Sequence, residues 1–284
     1  MIFRSREQTD MITSSNNAKV KQVVQWQTKA KERRKDHVFL AEGVRMCEEA
    51  PVKSVREVYL TEELEQKLRQ NAQNGDTAFW DKLQQTGYET VSPEVFAKMA
   101  DTQTPQGILT VLEQPSYDLA QLLEQSEPLF LILENLQDPG NLGTMIRTGE
   151  GAGITGVIMN GQTVDIFNPK TIRATMGSIF RVPFVYVPEL SPVLTQMHEK
   201  GIHTYAAHLK GKEYYDSFSF REPTAFLIGN EGNGLTKEIS DQSGQYLKIP
   251  MEGKVESLNA SIAAALLMYE AHRQRNLNSL HNSK

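Results

Sequence analysis

The second half of the chain consists of short apolar runs that alternate with amphipathic segments. Runs of four or five apolar residues predict strands, and the spacing of apolar positions between them predicts helices. The predicted strands are 129–133, 156–159, 183–187, 203–207, 225–228 and 246–249, and the predicted helices are 141–151, 169–178, 194–200, 235–240 and 259–275. Because strands that alternate with helices are typical of a mostly parallel sheet with helices on both faces, we predict an α/β fold.

The first half shows a smaller mixed pattern. It predicts helices at 18–35, 43–50 and 62–70, and strands at 39–41, 55–60 and 108–112. Two prolines, Pro115 and Pro128, flank a short apolar helix between the halves. We therefore predict a small α/β domain at 11–113, a linker at 114–127 and a second domain at 128–284, in line with the usual domain size for 284 residues.

Composition narrows the class of protein. The chain carries 30 basic and 35 acidic residues, a net charge of -5 that opposes a simple electrostatic nucleic-acid binder. The single cysteine, Cys47, excludes a disulfide scaffold and favours the cytoplasm. No apolar run reaches the roughly 18 residues that span a bilayer, so no membrane association is predicted. The six histidines show no metal-ligand spacing on a helix, so no metal site is predicted.

The charges are unevenly distributed. Residues 19–35 contain seven basic side chains and one acidic side chain, whereas residues 114–284 contain 14 basic and 18 acidic ones. Such a basic cluster is either a solvated helix face or a local surface for nucleic acid. The acidic net charge therefore does not exclude a nucleic-acid partner for the first domain.

One motif, the G-x-G-x-x-G pattern at 151–156, suggests dinucleotide binding. That motif binds pyrophosphate only where it follows a strand and opens a helix. Here it ends a predicted helix and precedes a strand, so we interpret the glycines as a helix C-cap and a tight turn. A nicotinamide dehydrogenase fits poorly.

The loop after the strand at 129–133 carries the first set of candidate chemical groups. Asp138 and Pro139 predict a turn, and Asn141 is a candidate cap for the next helix. Arg147 lies four residues beyond Gly143, so both lie on one helical face. The Arg147 guanidinium is suited to grip a phosphate or an oxyanion, and the alternative is a surface pair with Glu150.

Two further loops follow later strands. Residues 227–235 contain three glycines around Glu231, which is either a turn residue or a ligand contact. Residues 249–261 run from a strand end into a helix, with Ser257 or Asn259 as candidate N-cap.

Together, in this order and spacing, the three loops resemble the three signature motifs of the SpoU (TrmH-type) RNA ribose methyltransferases of the SPOUT superfamily. The matching positions are Asn135, Asp138, Pro139, Asn141, Gly143 and Arg147 in the first loop, 229–232 and Gly234 in the second, and 249–251, Gly253, 257–259 and Ser261 in the third. The segments 39–43 and 104–107 resemble the N-terminal substrate-binding domain of the family, which is similar to an RNA-binding fold of ribosomal proteins.

The resemblance implies S-adenosyl-L-methionine as the methyl donor, a ribose 2′-hydroxyl of RNA as the acceptor, a trefoil knot and a homodimer. It implies five residues at the methyl-transfer site: Asn141, Arg147, Glu231, Ser257 and Asn259. It also implies a set that holds the cofactor: Gly229, Ile249, Met251, Leu258 and Asn259.

RNA contacts are expected from Arg147 and from basic side chains of the first domain. The latter are Lys31, Arg33, Arg34, Lys35 and Arg45. Because an arginine stays protonated in proteins, we expect Arg147 to bind the neighbouring phosphate and stabilise the developing alkoxide, not to act as a base.

Three functions remain open at this point. A 2′-O-methyltransferase of ribosomal RNA, most favourably 23S, fits a separate first domain of about 100 residues that grips structured RNA. A transfer-RNA methyltransferase of the same family is the nearest alternative. A catalytically silent RNA-binding or ribosome-assembly factor is opposed by the presence of Asn141, Arg147, Glu231 and Asn259.

Overall fold

The protein is described by a computed structural model that covers residues 10–276. The chain forms two compact units. One extends to Pro115 and also includes Phe167–Phe180, and the other contains Ser116–Ile166 and the described residues from Arg181 onward. The domain limits 11–113, 114–127 and 128–284 stay a prediction about independent folding.

The first unit is a four-stranded sheet with helices. Its elements are α1 (Ala18–Thr28), α2 (Ala30–Asp36), β1 (Val38–Glu42), α3 (Val44–Glu49), β2 (Val55–Thr61), α4 (Glu62–Gln73), α5 (Ala78–Thr86), β3 (Glu89–Val91), α6 (Pro93–Met99) and β4 (Ile108–Glu113). The strand order is β1-β4-β2-β3, in which β4 pairs antiparallel with β1 and β2, and β3 pairs parallel with β2.

The predicted single helix at 18–35 is wrong, because the chain breaks at Lys29. Lys29 is extended, with φ -123° and ψ 108°, and separates α1 from α2. The Arg33 guanidinium of α2 then donates to the carbonyls of Trp26 (2.6 Å) and Gln27 (3.3 Å) at the end of α1. These carbonyls have no partner within their own helix, so the break lets a cation from the next helix satisfy them.

The segment Phe167–Phe180 packs within the first unit although it lies far along the chain. The ring of Phe167 lies 5.0 Å from that of Phe39 on β1, centroid to centroid. Arg173 forms an ion pair with Asp101 in the loop before β4. An aromatic contact and an ion pair thus fasten this segment to residues more than sixty positions earlier in the chain.

The second unit is a seven-stranded parallel sheet flanked by helices. The elements from residue 116 onward are α7 (Leu119–Leu123), β5 (Leu129–Leu133), α8 (Pro139–Ala152), β6 (Gly156–Asn160), α9 (Pro169–Thr175, in the first unit), β7 (Phe184–Val187), α10 (Ser191–Glu199), β8 (His203–Ala207), β9 (Glu213–Tyr214), β10 (Thr224–Ile228), α11 (Lys237–Gln242), β11 (Gln245–Lys248) and α12 (Ala260–Asn276). The strand order is β7-β6-β5-β10-β8-β11-β9, and every pair is parallel.

The two central strands explain the apolar runs in the sequence. All five residues of β5 and all five of β10 are buried. Phe130 and Ile132 pack with residues of α7, α10 and α11 on one face, so their neighbours along the strand point to the other face. A strand buried on both sides has no polar face and appears in the sequence as a continuous apolar run.

The structure confirms the predicted α/β class. Every predicted strand and helix of the second half is present, with ends that differ by at most three residues. The elements that were not predicted are α5, β3, α6 and the two-residue β9. Gly153 ends α8 in the left-handed conformation, φ 76°, and its N–H bonds to Glu150 and Gly149 carbonyls, as the C-cap interpretation requires. Among residues 10–276, no helix is long and apolar enough to cross a bilayer.

The end of α12 is held by a half-buried cation. The Arg275 guanidinium donates to the carbonyls of Phe220 (2.8 Å), Glu127 (2.8 Å), Glu222 (2.8 Å) and Pro128 (3.2 Å). These carbonyls belong to the segments that lead into β5 and β10. One side chain thus joins the last described helix to the start of both central strands.

Replacement of this cation tests its contribution to stability. We expect Arg275→Met to lower the free energy of unfolding by about 2–4 kcal/mol, because four carbonyls lose a charged donor. The matched control is Arg273→Met, since Arg273 is exposed and, among the described residues, forms its ion pair with Glu270 one turn away. A loss below about 1 kcal/mol is expected there. Urea unfolding at neutral pH measures the free energy of unfolding of both variants. Equal losses would contradict the proposed role of Arg275 in holding the end of α12.

Candidate active site

The three loops with candidate chemistry all follow strands of the second sheet. They leave the carboxyl ends of β5, β10 and β11. Because the sheet is parallel, these ends lie at one edge, which is where open α/β sheets place their ligands.

The first loop turns directly into α8. The helix begins at Pro139, and the Asp138 carboxylate caps it by accepting the Asn141 N–H at 2.7 Å. The prediction that Asn141 caps this helix is therefore wrong, because the helix starts two residues earlier and Asp138 takes that role. The consequence is that the Asn141 amide is available for other contacts.

Glu231 joins the second loop to the first. Its carboxylate accepts the backbone N–H of Gln137 (3.1 Å) and of Asp138 (3.0 Å), and also the Asn141 side-chain amide (3.1 Å). Partial burial raises the pKa of Glu231, but the hydrogen bonds from Asp138, Asn141 and Gln137 lower it more, so the pKa lies below its usual range. At neutral pH this group is a carboxylate that accepts hydrogen bonds from three donors.

Asn259 joins the third loop to this network. Its amide nitrogen donates to the Asn141 carbonyl oxygen at 2.9 Å. Its own oxygen accepts from the Ser261 N–H (2.8 Å) and hydroxyl (2.6 Å), so Asn259 is the residue that caps α12. The chain Glu231–Asn141–Asn259 therefore links all three loops and fixes the orientation of both amides.

The structure does not bond Arg147 or Ser257 to that chain. Arg147 is exposed on α8, the helix whose first turn holds Asn141. Within residues 10–276 its guanidinium makes no hydrogen bond or ion pair, and Glu150, its alternative partner, pairs with Arg181. Ser257 is exposed in the loop before α12. An exposed guanidinium without a protein partner is chemically suited to an incoming anion.

The residues implied to hold the cofactor offer peptide groups. Gly229 is buried at the end of β10, and within the described chain its peptide groups make no hydrogen bond. A Cβ there would lie 2.1 Å from the backbone of Gly234 and Leu235, so only glycine fits where the loop folds back. The Asn230 and Gly234 peptides close this loop with reciprocal bonds of 3.0 and 2.8 Å.

Three positions in the third loop also have peptide groups that are not hydrogen-bonded to described residues. Ile249, Met251 and Leu258 are half-buried in the third loop, and their peptide groups also make no hydrogen bond with described residues. Adenosine recognition needs donors and acceptors at fixed places, and unpaired peptide groups beside glycines supply them. The residues present therefore fit the cofactor that the resemblance implies.

The basic residues of the first unit divide into two groups. Lys31, Arg34, Lys35 and Arg45 are exposed, and Arg45 also pairs with Glu49 at 2.9 Å. Arg33 is only 3% exposed and its guanidinium is engaged by the end of α1. Arg33 thus has a structural role, and we leave it out of any RNA surface.

Sequence analysis did not identify the roles of Asn160 and Asn230, whose side chains bond to Asn135 in the first loop. Asn160 at the end of β6 exchanges two hydrogen bonds with Asn135, and the Asn230 amide donates to the Asn135 carbonyl. The available signal was an asparagine at the end of one apolar strand, Asn160, and at the second position after two others, Asn135 and Asn230. No group of three or more His, Cys, Asp or Glu side chains among the described residues is arranged to hold a metal ion.

Family models and known proteins match this chain over most of its length. Residues 128–269 match the SpoU rRNA methylase family, and residues 17–110 match the MRM3-like substrate binding domain. The 23S rRNA (guanosine(2553)-2′-O)-methyltransferase RlmP of Bacillus subtilis is 34% identical over 261 residues, which cover 91% of this chain and 97% of that protein. The 23S rRNA (uridine(2479)-2′-O)-methyltransferase of Streptomyces viridochromogenes is 31% identical over 65% of this chain and 67% of that protein.

Solved structures agree over nearly the whole chain. The AdoMet-bound rRNA methyltransferase from Sinorhizobium meliloti superimposes with a TM-score of 0.81 at 29% identity, covering 94% of this chain and 98% of that one. The SpoU methyltransferase AviRb from Streptomyces viridochromogenes gives 0.78 at 28%, covering 92% and 99%. With three signature loops joined at one sheet edge and both parts of the chain matched, the protein belongs to the SpoU rRNA methylase family.

Proposed function

We propose that this protein transfers a methyl group from S-adenosyl-L-methionine to a ribose 2′-hydroxyl of RNA, with 23S ribosomal RNA in the cytoplasm as the substrate. The observation that carries the proposal is the hydrogen-bonded chain Glu231–Asn141–Asn259, which brings the three signature loops together. The two relatives named as 23S rRNA 2′-O-methyltransferases support the substrate class.

The donor, when bound, supplies a methyl group on a positively charged sulfur. The peptide groups of Gly229, Ile249, Met251 and Leu258 would hold it by hydrogen bonds. The Asn259 side chain already caps α12 and bonds to Asn141, so its contribution is to fix the third loop. Alignment of nucleophile and methyl group is worth several of the roughly 7–11 kcal/mol available from orientation.

In the transfer the ribose oxygen forms a bond to the methyl carbon, the methyl–sulfur bond breaks to leave S-adenosylhomocysteine, and the hydroxyl proton passes to solvent. The oxygen therefore needs stabilisation while it carries alkoxide charge. The free, permanently charged guanidinium of Arg147 would bind the adjacent phosphate and stabilise that negative charge. Glu231 is a weak base at neutral pH, because three hydrogen bonds hold its pKa below the usual range. Glu231 therefore orients the Asn141 amide and the first loop, and Ser257 is left as an exposed polar contact for the RNA.

The first unit would bind RNA through Lys31, Arg34, Lys35 and Arg45. These cations are solvent-exposed, whereas most of the acidic surplus of the chain lies beyond residue 113. Phosphate contacts of this kind position the RNA without reading its sequence.

We further propose a homodimer, and a trefoil knot as the family resemblance implies. Helix α12 exposes an apolar stripe of Ile262 (49%), Leu266 (37%) and Tyr269 (48%) at i, i+4 and i+7. A contiguous apolar stripe on a helix is typical of a protein–protein contact, and a second copy would bury it.

Mapping of ribose methylation across rRNA and tRNA from a strain that lacks the gene tests the substrate. We expect one 23S rRNA position to lose its methyl group and the purified protein with AdoMet to restore it. Loss in tRNA would favour the transfer-RNA alternative. Failure to bind millimolar AdoMet in calorimetry would favour a silent RNA-binding factor.

Arg147→Ala tests the proposed role of the guanidinium. We expect kcat for methyl transfer to fall at least about a hundredfold, while the Kd for AdoMet stays within about twofold, because only the developing charge loses its partner. Arg147→Lys keeps the positive charge but loses the two-pronged guanidinium hydrogen bonding, so its kcat should lie between those of the wild type and Arg147→Ala. Equal losses of transfer and AdoMet binding would contradict the role.

Neutralisation of the basic surface tests RNA binding by the first unit. We expect Lys31→Ala, Arg34→Ala and Lys35→Ala together to weaken RNA binding and to reduce the slope of log K against log salt by about 2–3. The control replaces three other exposed lysines of the same unit, Lys53, Lys67 and Lys98, with alanine. An unchanged slope in the first triple variant would mean that the cluster is only a solvated helix face.

Introduction of a charged residue into the apolar stripe of α12 tests whether this stripe forms the dimer contact. We expect Leu266→Glu to convert the protein from dimer to monomer in sedimentation equilibrium, because a carboxylate would be buried in the contact. Leu209→Glu is the control, since Leu209 is 61% exposed elsewhere on the same unit. A wild-type monomer, or a Leu266→Glu dimer, would contradict the proposed contact.

A further inference from the structure

Three strand ends of the second sheet are joined by asparagine side chains. Strands β6, β5 and β10 are neighbours, and their backbone ladders end at the pairs Met159–Leu133 and Ile228–Leu133. Past these pairs the β5–β6 and β5–β10 ladders end, with one last bond from the Glu134 N–H to the Ile228 carbonyl at 3.0 Å. Asn160, Asn135 and Asn230, all half-buried, stand just past them.

Asn135 is the centre of this set and adopts an unusual conformation. Its φ of 57° lies in the left-handed region, which is costly for most L residues and more acceptable for asparagine. Its N–H donates to the Asn160 side-chain oxygen at 3.0 Å, and its side-chain oxygen accepts the Asn160 amide at 2.7 Å. The amide of Asn160 thus acts as one further rung of the β5–β6 ladder.

The other side of Asn135 is bound to the second loop. Its carbonyl accepts the Asn230 amide at 2.9 Å. The Asn230 oxygen accepts the N–H groups of Gly232 (2.9 Å) and Asn233 (3.0 Å), which closes the turn that carries Glu231. One side chain therefore shapes the Glu231 turn and ties it to the first loop.

We propose that Asn160 and Asn230 are positioning residues for the methyl transfer. This inference rests on the proposed function. Neither side chain bonds to Arg147, Asn141 or Asn259 within the described chain. They act through Asn135, whose backbone conformation sets where the Gln137 and Asp138 N–H groups meet the Glu231 carboxylate.

The physical reason is the sensitivity of displacement to alignment. Glu231 holds Asn141 only while the first loop keeps its place, and a shift of about 1 Å at a reacting group costs as much as a hundredfold in rate. Three of the four positions proposed to hold the cofactor, Ile249, Met251 and Leu258, lie on a different loop. The fourth, Gly229, adjoins Asn230, but neither asparagine side chain bonds to its peptide groups within the described chain, so AdoMet binding should change little. The expected signature is therefore a loss in kcat without a matching loss in AdoMet affinity.

The experiment compares Asn160→Ala, Asn230→Ala and the double variant in the full chain. We expect each single variant to lower kcat at least about tenfold, with the Kd for AdoMet within about threefold of wild type. The double variant should lose less than the product of the single losses, because both act through Asn135. Asn160→Asp keeps the acceptor for the Asn135 N–H and should recover part of the rate.

Asn233→Ala is the matched control. Asn233 lies in the same turn, and its side chain makes no hydrogen bond within residues 10–276. Hydrogen exchange without AdoMet provides a readout apart from activity: the amides of residues 135–138 should exchange at least about tenfold faster in Asn160→Ala and Asn230→Ala, and at the wild-type rate in Asn233→Ala.

Wild-type kcat or wild-type exchange in Asn160→Ala and Asn230→Ala would overturn the proposal, and so would equal losses in Asn233→Ala. A parallel loss of AdoMet affinity would assign the two residues to binding and overturn it as well. If the wild-type protein itself transfers no methyl group, the proposed function fails, whereas the exchange comparison still decides whether these asparagines hold the first loop.

Discussion

A parallel sheet leaves the peptide groups beyond its strand ends without ladder partners, and the second unit of this protein depends on how that constraint is met. Side chains replace the missing partners in the loop after β5 and in the turn after β10, whereas the peptide groups of Gly229 and Ile249 make no hydrogen bond with described residues. The Glu231 carboxylate satisfies two peptide donors of the first loop and one amide. Polar residues that complete the backbone hydrogen bonding are thus also the residues that shape the site.

Charged side chains also serve either the fold or the surface. A net charge of -5 describes the whole chain but no particular surface. The basic residues of α2 have different environments. Arg33 donates hydrogen bonds to the carbonyls at the end of α1, whereas Arg34 and Lys35 are exposed to solvent. Ligand contacts in the second unit come from peptide groups and a few side chains, so an acidic unit can still serve a polyanionic substrate.

Much of the fold was predictable because burial on both faces leaves a direct trace in the sequence. The runs in β5 and β10 have no polar interruption, and each predicted strand of the second half is present. The break at Lys29 was not predictable from periodicity, because α2 has Ala30 as its one apolar residue and so adds no apolar pattern that could mark a turn. Only the tertiary bond of Arg33 reveals it.

The residues that the structure bonds together were among those predicted for the site, but their hydrogen bonds were not predictable. The motifs brought Asn141, Glu231 and Asn259 forward, but the cap of α8 fell to Asp138 once the helix began at Pro139. The pairing of Asn160 with Asn135 depends on the register of β6 against β5, and register is a property of the folded sheet. Local sequence contains no record of which strand ends become neighbours.

The segment Phe167–Phe180 limits how the first unit can be exchanged between related proteins. The first unit is completed by residues that follow β6, so its chain is discontinuous. Three peptide crossings connect the units instead of one, and no single cut separates them. An exchange of the first hundred residues with those of a relative would have to match Phe167 and Arg173 as well, because both contact residues of that stretch.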